Sequence, residues 1–352
     1  MENKIQYDGM KRSNVMDLSY LDIIRKNVDL TRQEEVFRQF DSQDECMGNI
    51  THFWNGDDLD LSKFDFAIIG FPQDIGIRNM GGKHGVRDGP YGFRKPFYSL
   101  SNHFEKPRDM IIDLGNIKID LDADLQDIHT RMVEVISCLI KLNVFPIVIG
   151  GGNDVTYAGA KGIKESGVYN RLGLLSFDAH LNFHDVPGKF ISASSMFRIM
   201  DDFPDLFNME NVVHFGLRKE TISPHYARFA RESKMHTYYN DIIQLHSQDK
   251  IKNIKKELFQ ALNQANNMSE GTIITFDMDV CDGCMMPGTS FPLPGGFSPE
   301  CVISIAKQLS KFKMAVYLDI INLNPVADHN DITSTMAALF LFHFLAEKQK
   351  KS

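Results

Sequence analysis

The sequence predicts an α/β protein of three layers, helix on sheet on helix, around a mostly parallel sheet. Three observations carry that expectation. Short, continuous apolar runs recur along the chain, the pattern of strands buried on both faces. Longer segments with apolar residues at helical spacing lie between them, so strand and helix alternate. Several of the apolar runs stop abruptly in Gly- or Asp-rich polar clusters, as strands do where they leave a sheet toward a site.

Residues 1 to about 64 are polar, with scattered apolar positions and no strand-like run before Phe64. Within them Tyr20-Leu21-Asp22-Ile23-Ile24 and Glu34-Glu35-Val36-Phe37 read as short helical pieces, so 1–64 is expected to be an extension packed on a main domain of 65–348. That domain opens with a strand at 65–70, a long Gly-rich loop as far as Pro90, and a strand at 110–113. Over 125–142, Ile128, Met132, Val135, Ile136, Leu139 and Ile140 share one helical face. A strand at 144–149 and a helix at 154–163 follow, then strands at 172–177 and 212–216. A helix at 248–266, a strand at 272–276, a helix at 298–311, a strand at 315–319 and a helix at 332–347 complete the chain. There is no internal repeat and no low-complexity segment.

At 352 residues the chain can bury a large core. A net charge of −8 and a pI near 5.8 argue against a nucleic-acid surface. No apolar run approaches the ~20 residues that span a bilayer, and the opening residues lack a secretory signal's apolar stretch, so a cytoplasmic protein is expected. The end, Lys348-Gln349-Lys350-Lys351-Ser352, matches no lipidation signal and reads as a frayed helix terminus. Five cysteines, an odd number, do not suggest a disulfide framework. Cys281 and Cys284 form a lone Cys-x-x-Cys, readable as a redox pair or as two soft ligands, but more simply as two reduced thiols in a loop.

Three of the predicted strands end in residues of metal-ligand type: Gly150-Gly151-Gly152-Asn153-Asp154, Asp178-Ala179-His180-Leu181-Asn182 and Asp277-Met278-Asp279. Asp178 and His180, two apart on extended backbone, can enter one cavity, and Asp277 and Asp279 repeat that spacing. Three carboxylates and an imidazole gathered together repel or take up protons, and a hard divalent cation such as Mn2+ resolves the conflict most simply. Asn153 and Asn182 stand where a carboxylate or imidazole would bind an ion far better. The three glycines lack the Lys-Ser/Thr of a phosphate loop and suit a close backbone approach at a strand-to-helix turn.

The order and sequence of these clusters resemble the ureohydrolase family of arginase, agmatinase and formimidoylglutamase, whose pattern is Gly-Gly-x-His, Asp-Ala-His-x-Asp and Ser/Thr-x-Asp-x-Asp. The likeness extends over 65–345 and includes Met286-Pro287-Gly288-Thr289-Ser290 and Pro294-Gly295-Gly296. Formimidoylglutamase is matched most in Gly70-Phe71-Pro72-Gln73-Asp74-Ile75-Gly76-Ile77-Arg78-Asn79, in Gly85, Gly89-Pro90 and Arg94, and in Asp319-Ile320-Ile321-Asn322-Leu323-Asn324-Pro325.

The resemblance implies a three-layer α/β/α hydrolase of amidino or guanidino C–N bonds with a dinuclear manganese centre. One ion's position corresponds to Asn153, Asp178, Asn182 and Asp277, and the other's to Asp178, His180, Asp277 and Asp279. The first has lost half its ligands and the second none. The expectation is therefore one divalent ion, Mn2+, on Asp178, His180, Asp277 and Asp279, with a metal-bound water as nucleophile and Asn153 and Asn182 marking a degenerate position.

On the substrate side, Asn322 replaces a Glu expected to face the amidine, so a charge-assisted bidentate contact is lost. The His that arginase and agmatinase carry in an active-site loop is missing from Ser192-Ala193-Ser194-Ser195-Met196-Phe197-Arg198. Arg78 and Asn79 are the positions best placed by motif to bind substrate, in a loop that also holds Lys83, His84 and Arg87 and that otherwise reads as solvated basic surface. His184 is a substitute ligand or base, or else a loop cap. By resemblance the partner is a small amidine or guanidine derivative of an amino acid, with no nucleic acid or membrane involved, and the chain is a homo-oligomer. Two functions stay open: an amidine C–N hydrolase that is mononuclear and of altered or reduced activity, or a non-catalytic member of the fold that binds a small molecule or partner.

Overall fold

Ten strands build one sheet in the computed structural model, which describes residues 18–348 apart from 42, 105–110, 187, 189 and 246–248. They are β1 (Val28–Asp29), β2 (Thr51–Phe53), β3 (Phe66–Gly70), β4 (Ile111–Ile117) and β5 (Phe145–Ile149), then β6 (Leu172–Phe177), β7 (Phe207–Leu217), β8 (His236–Tyr239), β9 (Gly271–Asp277) and β10 (Ala315–Ile321). The order across the sheet is β1-β4-β3-β5-β10-β9-β6-β7-β8, with β2 also on β4. Among the described residues only the β1–β4 pairing is antiparallel.

The period of two along each strand divides the core into two layers. Phe66 and Ile68 of β3 enter one cluster while Ala67 and Ile69 enter the other. On β9, Ile274 and Phe276 face one way and Ile273 the other. The first cluster takes in Phe93, Leu258, Val302 and Phe340 from helices Gly89–Ser99, Lys250–Ala265, Pro299–Leu309 and Ile332–Lys348. The second takes in Ile24, Ile136, Ile163 and Ile199 from Leu18–Asn27, Leu125–Lys141, Asp154–Ser166 and Ser195–Asp202. This is the three-layer α/β/α fold expected from the sequence.

Local signals place the helices. Asp124 caps Leu125–Lys141 by accepting from the Asp127 amide, and Asp127 reaches back in a capping box. Gly167, at φ +69°, ends Asp154–Ser166 in the left-handed region. The Gly-rich loop between β3 and Pro90 holds a short helix, Ile75–Asn79. Arg94 is structural: it is buried, with Nε 2.7 Å from Asp113 Oδ2 and Nη2 2.9 Å from Oδ1. At Gly150 (φ +98°) an added Cβ would lie 2.6 Å from Pro90 Cδ, the close approach expected of the glycine triplet.

The extension differs from its reading. Its helical pieces are present as Leu18–Asn27 and Gln33–Val36, but it also supplies β1 and β2 at the edge of the sheet, of two and three residues. Runs so short show no apolar pattern. The readings that touch residues 1–17, Met110 and the chain beyond Lys348 fall outside the described residues. No helix among the described residues is long and apolar enough to cross a membrane.

Four neighbouring strands, β5, β10, β9 and β6, form the middle of the sheet. Their carboxyl ends carry the polar clusters. In an open parallel sheet, ligands bind outside that edge.

Candidate active site

Each cluster enters the site from its own strand. Asn153 follows β5 at the start of helix Asp154–Ser166, and Asp178, His180 and Asn182 follow β6. Asp277 closes β9, Asp279 lies in the helical turn Met278–Val280, and Asn322 follows β10. Asp178 and Asp277 are wholly buried, and Asn153, Asn182, Asp279 and Asn322 nearly so. The structure thus brings together all seven of these predicted positions.

The carboxylates are held by amides. Asp178 Oδ1 accepts from the His180 backbone at 2.8 Å, with His180 Nδ1 3.3 Å away, and its Oδ2 accepts from Asn182 Nδ2 at 2.5 Å. Asp277 Oδ1 accepts from the Asp279 backbone at 2.9 Å. Its Oδ2 receives two amides, Asn153 Nδ2 at 2.9 Å and Asn322 Nδ2 at 2.6 Å. All three Asn side chains therefore donate to a predicted ligand carboxylate. Asn182 (φ +56°) and Asn322 (φ +60°) both occupy the left-handed region, which Asn tolerates better than most residues. Asp279 Oδ1 accepts from the Phe291 amide at 2.8 Å, whereas Asp279 Oδ2 is buried without a hydrogen bond of full geometry, the Thr289 hydroxyl acting on that carboxylate from nearby.

Burial, together with the charges of Asp178 and Asp279, holds the Asp277 carboxyl well above the usual range. Asp279 is raised by burial, with His180 offsetting part of the effect. For His180 burial opposes protonation, but the hydrogen bond to and charge of Asp178, aided by Asp279, outweigh it and raise its pKa. The cluster is short of positive charge.

The two ion positions fare differently when tested against this geometry. Asp178, His180, Asp277 and Asp279 offer the donor chemistry a hard divalent ion takes, and the orphaned Asp279 Oδ2, costly at about 1–3 kcal/mol if unmet, is a ready acceptor for one. At the other position Asn153 and Asn182 turn N–H groups toward the carboxylates, donors where an ion needs acceptors, so that position does not fit. Among the described residues no three His, Cys, Asp or Glu side chains stand in a metal-holding arrangement, so even the fitting set is turned to hydrogen bonds.

Beside the cluster lies a cavity of about 220 Å³. Asn153, His180, Asn182, Asp279 and Asn322 line its polar end, and Ile77, Met80, Phe183, Ile222, Tyr226 and Phe291 are among its apolar walls. Arg78 and Asn79 are not among the lining residues, although Ile77 and Met80 on either side of them are. Arg78 is ion-paired through Nε to Asp74 at 2.7 Å with its side chain 58% exposed, and Asn79 donates to the Phe190 carbonyl at 3.0 Å. Lys83, His84 and Arg87 are exposed.

His184 lines the cavity, with Nδ1 3.3 Å from the Ala193 carbonyl and its ring 4.9 Å from that of Tyr226. Cys281 is buried and Cys284 exposed, both free thiols. Burial, with Asp277 and Asp279 nearby, pushes the Cys281 thiol well up, the opposite of a reactive or ligating thiolate. The wall at Thr221, Ile222, Ser223 and Tyr226 was not foreseen: it is a polar turn without ligand spacing. Ser192, in the loop without the His, accepts at its Oγ from the Asn153 backbone N–H at 2.7 Å.

A model of the arginase family matches residues 64–346. Formimidoylglutamase of Lysinibacillus sphaericus is 27% identical over 282 residues, 79% of this chain and 83% of the relative. Formimidoylglutamase of Clostridium tetani is 26% identical over 322 residues, 86% and 90% respectively. Among solved structures, a variant of Trypanosoma cruzi formiminoglutamase with Mn2+ superposes at a TM-score of 0.77 and 20% identity, covering 88% of this chain and 100% of that one. Formimidoylglutamase from Bacillus subtilis superposes at 0.76 and 20% identity, covering 89% and 94%. These structural likenesses show a shared fold.

Proposed function

This chain belongs to the arginase family, and from that premise we propose that it is a C–N hydrolase of a small amidine or guanidine, working with a single divalent ion and at altered or reduced activity. The observation that carries the reading is the complete set of Asp178, His180, Asp277 and Asp279 at the cavity's polar end, the three carboxylates buried and His180 partly exposed, with Asp279 Oδ2 making no full hydrogen bond. Those four residues would hold the ion, manganese by analogy with the trypanosomal relative. When bound, such an ion lends Lewis acidity that makes water nucleophilic near neutral pH. Asn153 and Asn322 hold Asp277 in place, and the apolar walls keep bulk water from the reacting end. The reading carries with it a cytoplasmic setting and a homo-oligomer.

A second reading, a non-catalytic binding protein, is favoured by one observation: the three amides already satisfy Asp178 and Asp277 without an ion. Elemental analysis after Mn2+ loading, with formamide release from formimidoylglutamate and urea release from arginine and agmatine, separates the two. About one ion per chain with measurable turnover is expected. Two tightly held ions would refute the degenerate position. No ion and no turnover, both restored by Asn153→His with Asn182→Asp and Asn322→Glu, would establish the binding protein instead.

A further inference from the structure

Building on the amidine reading, we infer that the ligand's far end is uncharged and apolar, so the chain takes an alkyl or aryl amidine or guanidine and not an amino-acid derivative. Among the described residues no Lys or Arg lines the cavity. Two arginines beside lining residues are engaged elsewhere, Arg78 with Asp74, and Arg218 with Glu220 and, at 2.7 Å, the Pro294 carbonyl, while Lys83, His84 and Arg87 are exposed and off the lining. The Thr221 hydroxyl, on the wall, donates at 2.6 Å to the Ala179 carbonyl and so does not serve a carboxylate. An ionised carboxylate seated against the apolar walls, away from His180, leaves water without gaining a Lys or Arg, which is strongly unfavourable. Ile77, Met80, Phe183, Ile222 and Phe291 offer instead a surface for hydrocarbon. At about 220 Å³ the space lies below the ~300 Å³ where pockets for drug-sized ligands begin, which suits a short tail.

The head end is recognised by an acceptor. Asn153 lines the cavity at 4% exposure, gives its Nδ2 to Asp277, and leaves Oδ1 buried with no partner. An amidine or guanidine presents N–H donors in one plane, the complement of such an oxygen. With Nδ2 given to Asp277, the carbonyl oxygen of Asn153 is left for the ligand.

Isothermal titration of the full chain, with and without Mn2+, tests this with n-butylguanidine, agmatine, arginine and N-formimidoyl-glutamate. The butylguanidine should bind about tenfold or more tightly than arginine or formimidoyl-glutamate. Ile222→Arg, which puts a cation on the wall, should reverse that order. Lys189 lies outside the described residues, so Lys189→Ala is run in parallel. Formimidoyl-glutamate binding as tightly as butylguanidine overturns the inference, and its loss in Lys189→Ala would locate the missing cation. Binding of none of the four ligands removes the amidine reading itself, an outcome distinct from a wrong tail.

Discussion

Asn322 combines a costly backbone with two side-chain contacts: φ is +60°, Nδ2 donates to Asp277 and Oδ1 accepts from Ser290 at 2.9 Å. Replacing it by Gly or Ala removes both contacts, so the difference between the two variants isolates the backbone. Asn322→Gly should be more stable than Asn322→Ala by about 1 kcal/mol in urea unfolding, because only Ala carries a Cβ into the left-handed region. Equal stability would mean that the turn relaxes. Asn182, at φ +56°, makes a different prediction. Asp tolerates that conformation, but Asn182→Asp exchanges a donor for a second buried carboxylate facing Asp178. The metal-free variant should melt below the natural chain and regain the loss with Mn2+, whereas the natural chain should gain less; a thermal scan with and without Mn2+ reads this directly. The spacing of the clusters made these positions legible in the sequence. The direction of the amides was not, since it depends on side-chain rotation and a left-handed backbone that residue type alone does not specify.

Strands β7 and β10 each bury a titratable group beneath the site. Asp319 of β10, opposite Thr275 of β9, is pushed up to about 7 by burial, which the hydroxyls of Thr275, Thr156 and Tyr317 offset only in part. Neither of its oxygens reaches full hydrogen-bond geometry. In the unfolded chain an Asp ionises near ~4, so the folded chain holds a proton that the unfolded one has released. This stabilisation is complete below about pH 4 and is lost as pH rises through about 7. His214 of β7 runs the other way: burial lowers it to about 4, so its contribution is complete above the ordinary ~6.5 and is lost as pH falls toward 4. The opposed windows overlap. Asp319→Asn should leave stability rising with pH between about 4 and 7, and His214→Phe should leave it falling. Denaturant unfolding at several pH values checks both signs, and an unchanged profile in both variants would clear the two residues. The strands themselves were legible because β3, β5, β6, β9 and β10 are mostly apolar and buried on both faces along nearly all their length. β8, half-buried over all four residues at the sheet's edge, has no such run.

Residues 18–64 are structural in the whole molecule. They place Leu21, Ile24, Val28, Trp54 and Leu61 in one core layer and Val36, Phe37 and Met47 in the other, and they cover the edge of β4. Each such side chain contributes about 1.5–3 kcal/mol by burial. A chain beginning at residue 65 should therefore aggregate, since it exposes apolar surface beside an open strand edge. A monodisperse, cooperatively unfolding species in size-exclusion chromatography and thermal melting would show the extension to be dispensable. The sheet order has one more consequence. β10 is the last strand in the sequence, yet it sits between β5 and β9. During synthesis β3–β5 and β6–β9 leave the ribosome before the strand that joins them, so until β10 is made nothing can bridge the two halves of the sheet. The closing step waits for residues 315–321, and only then do Asn153 and Asp277 come within reach of each other.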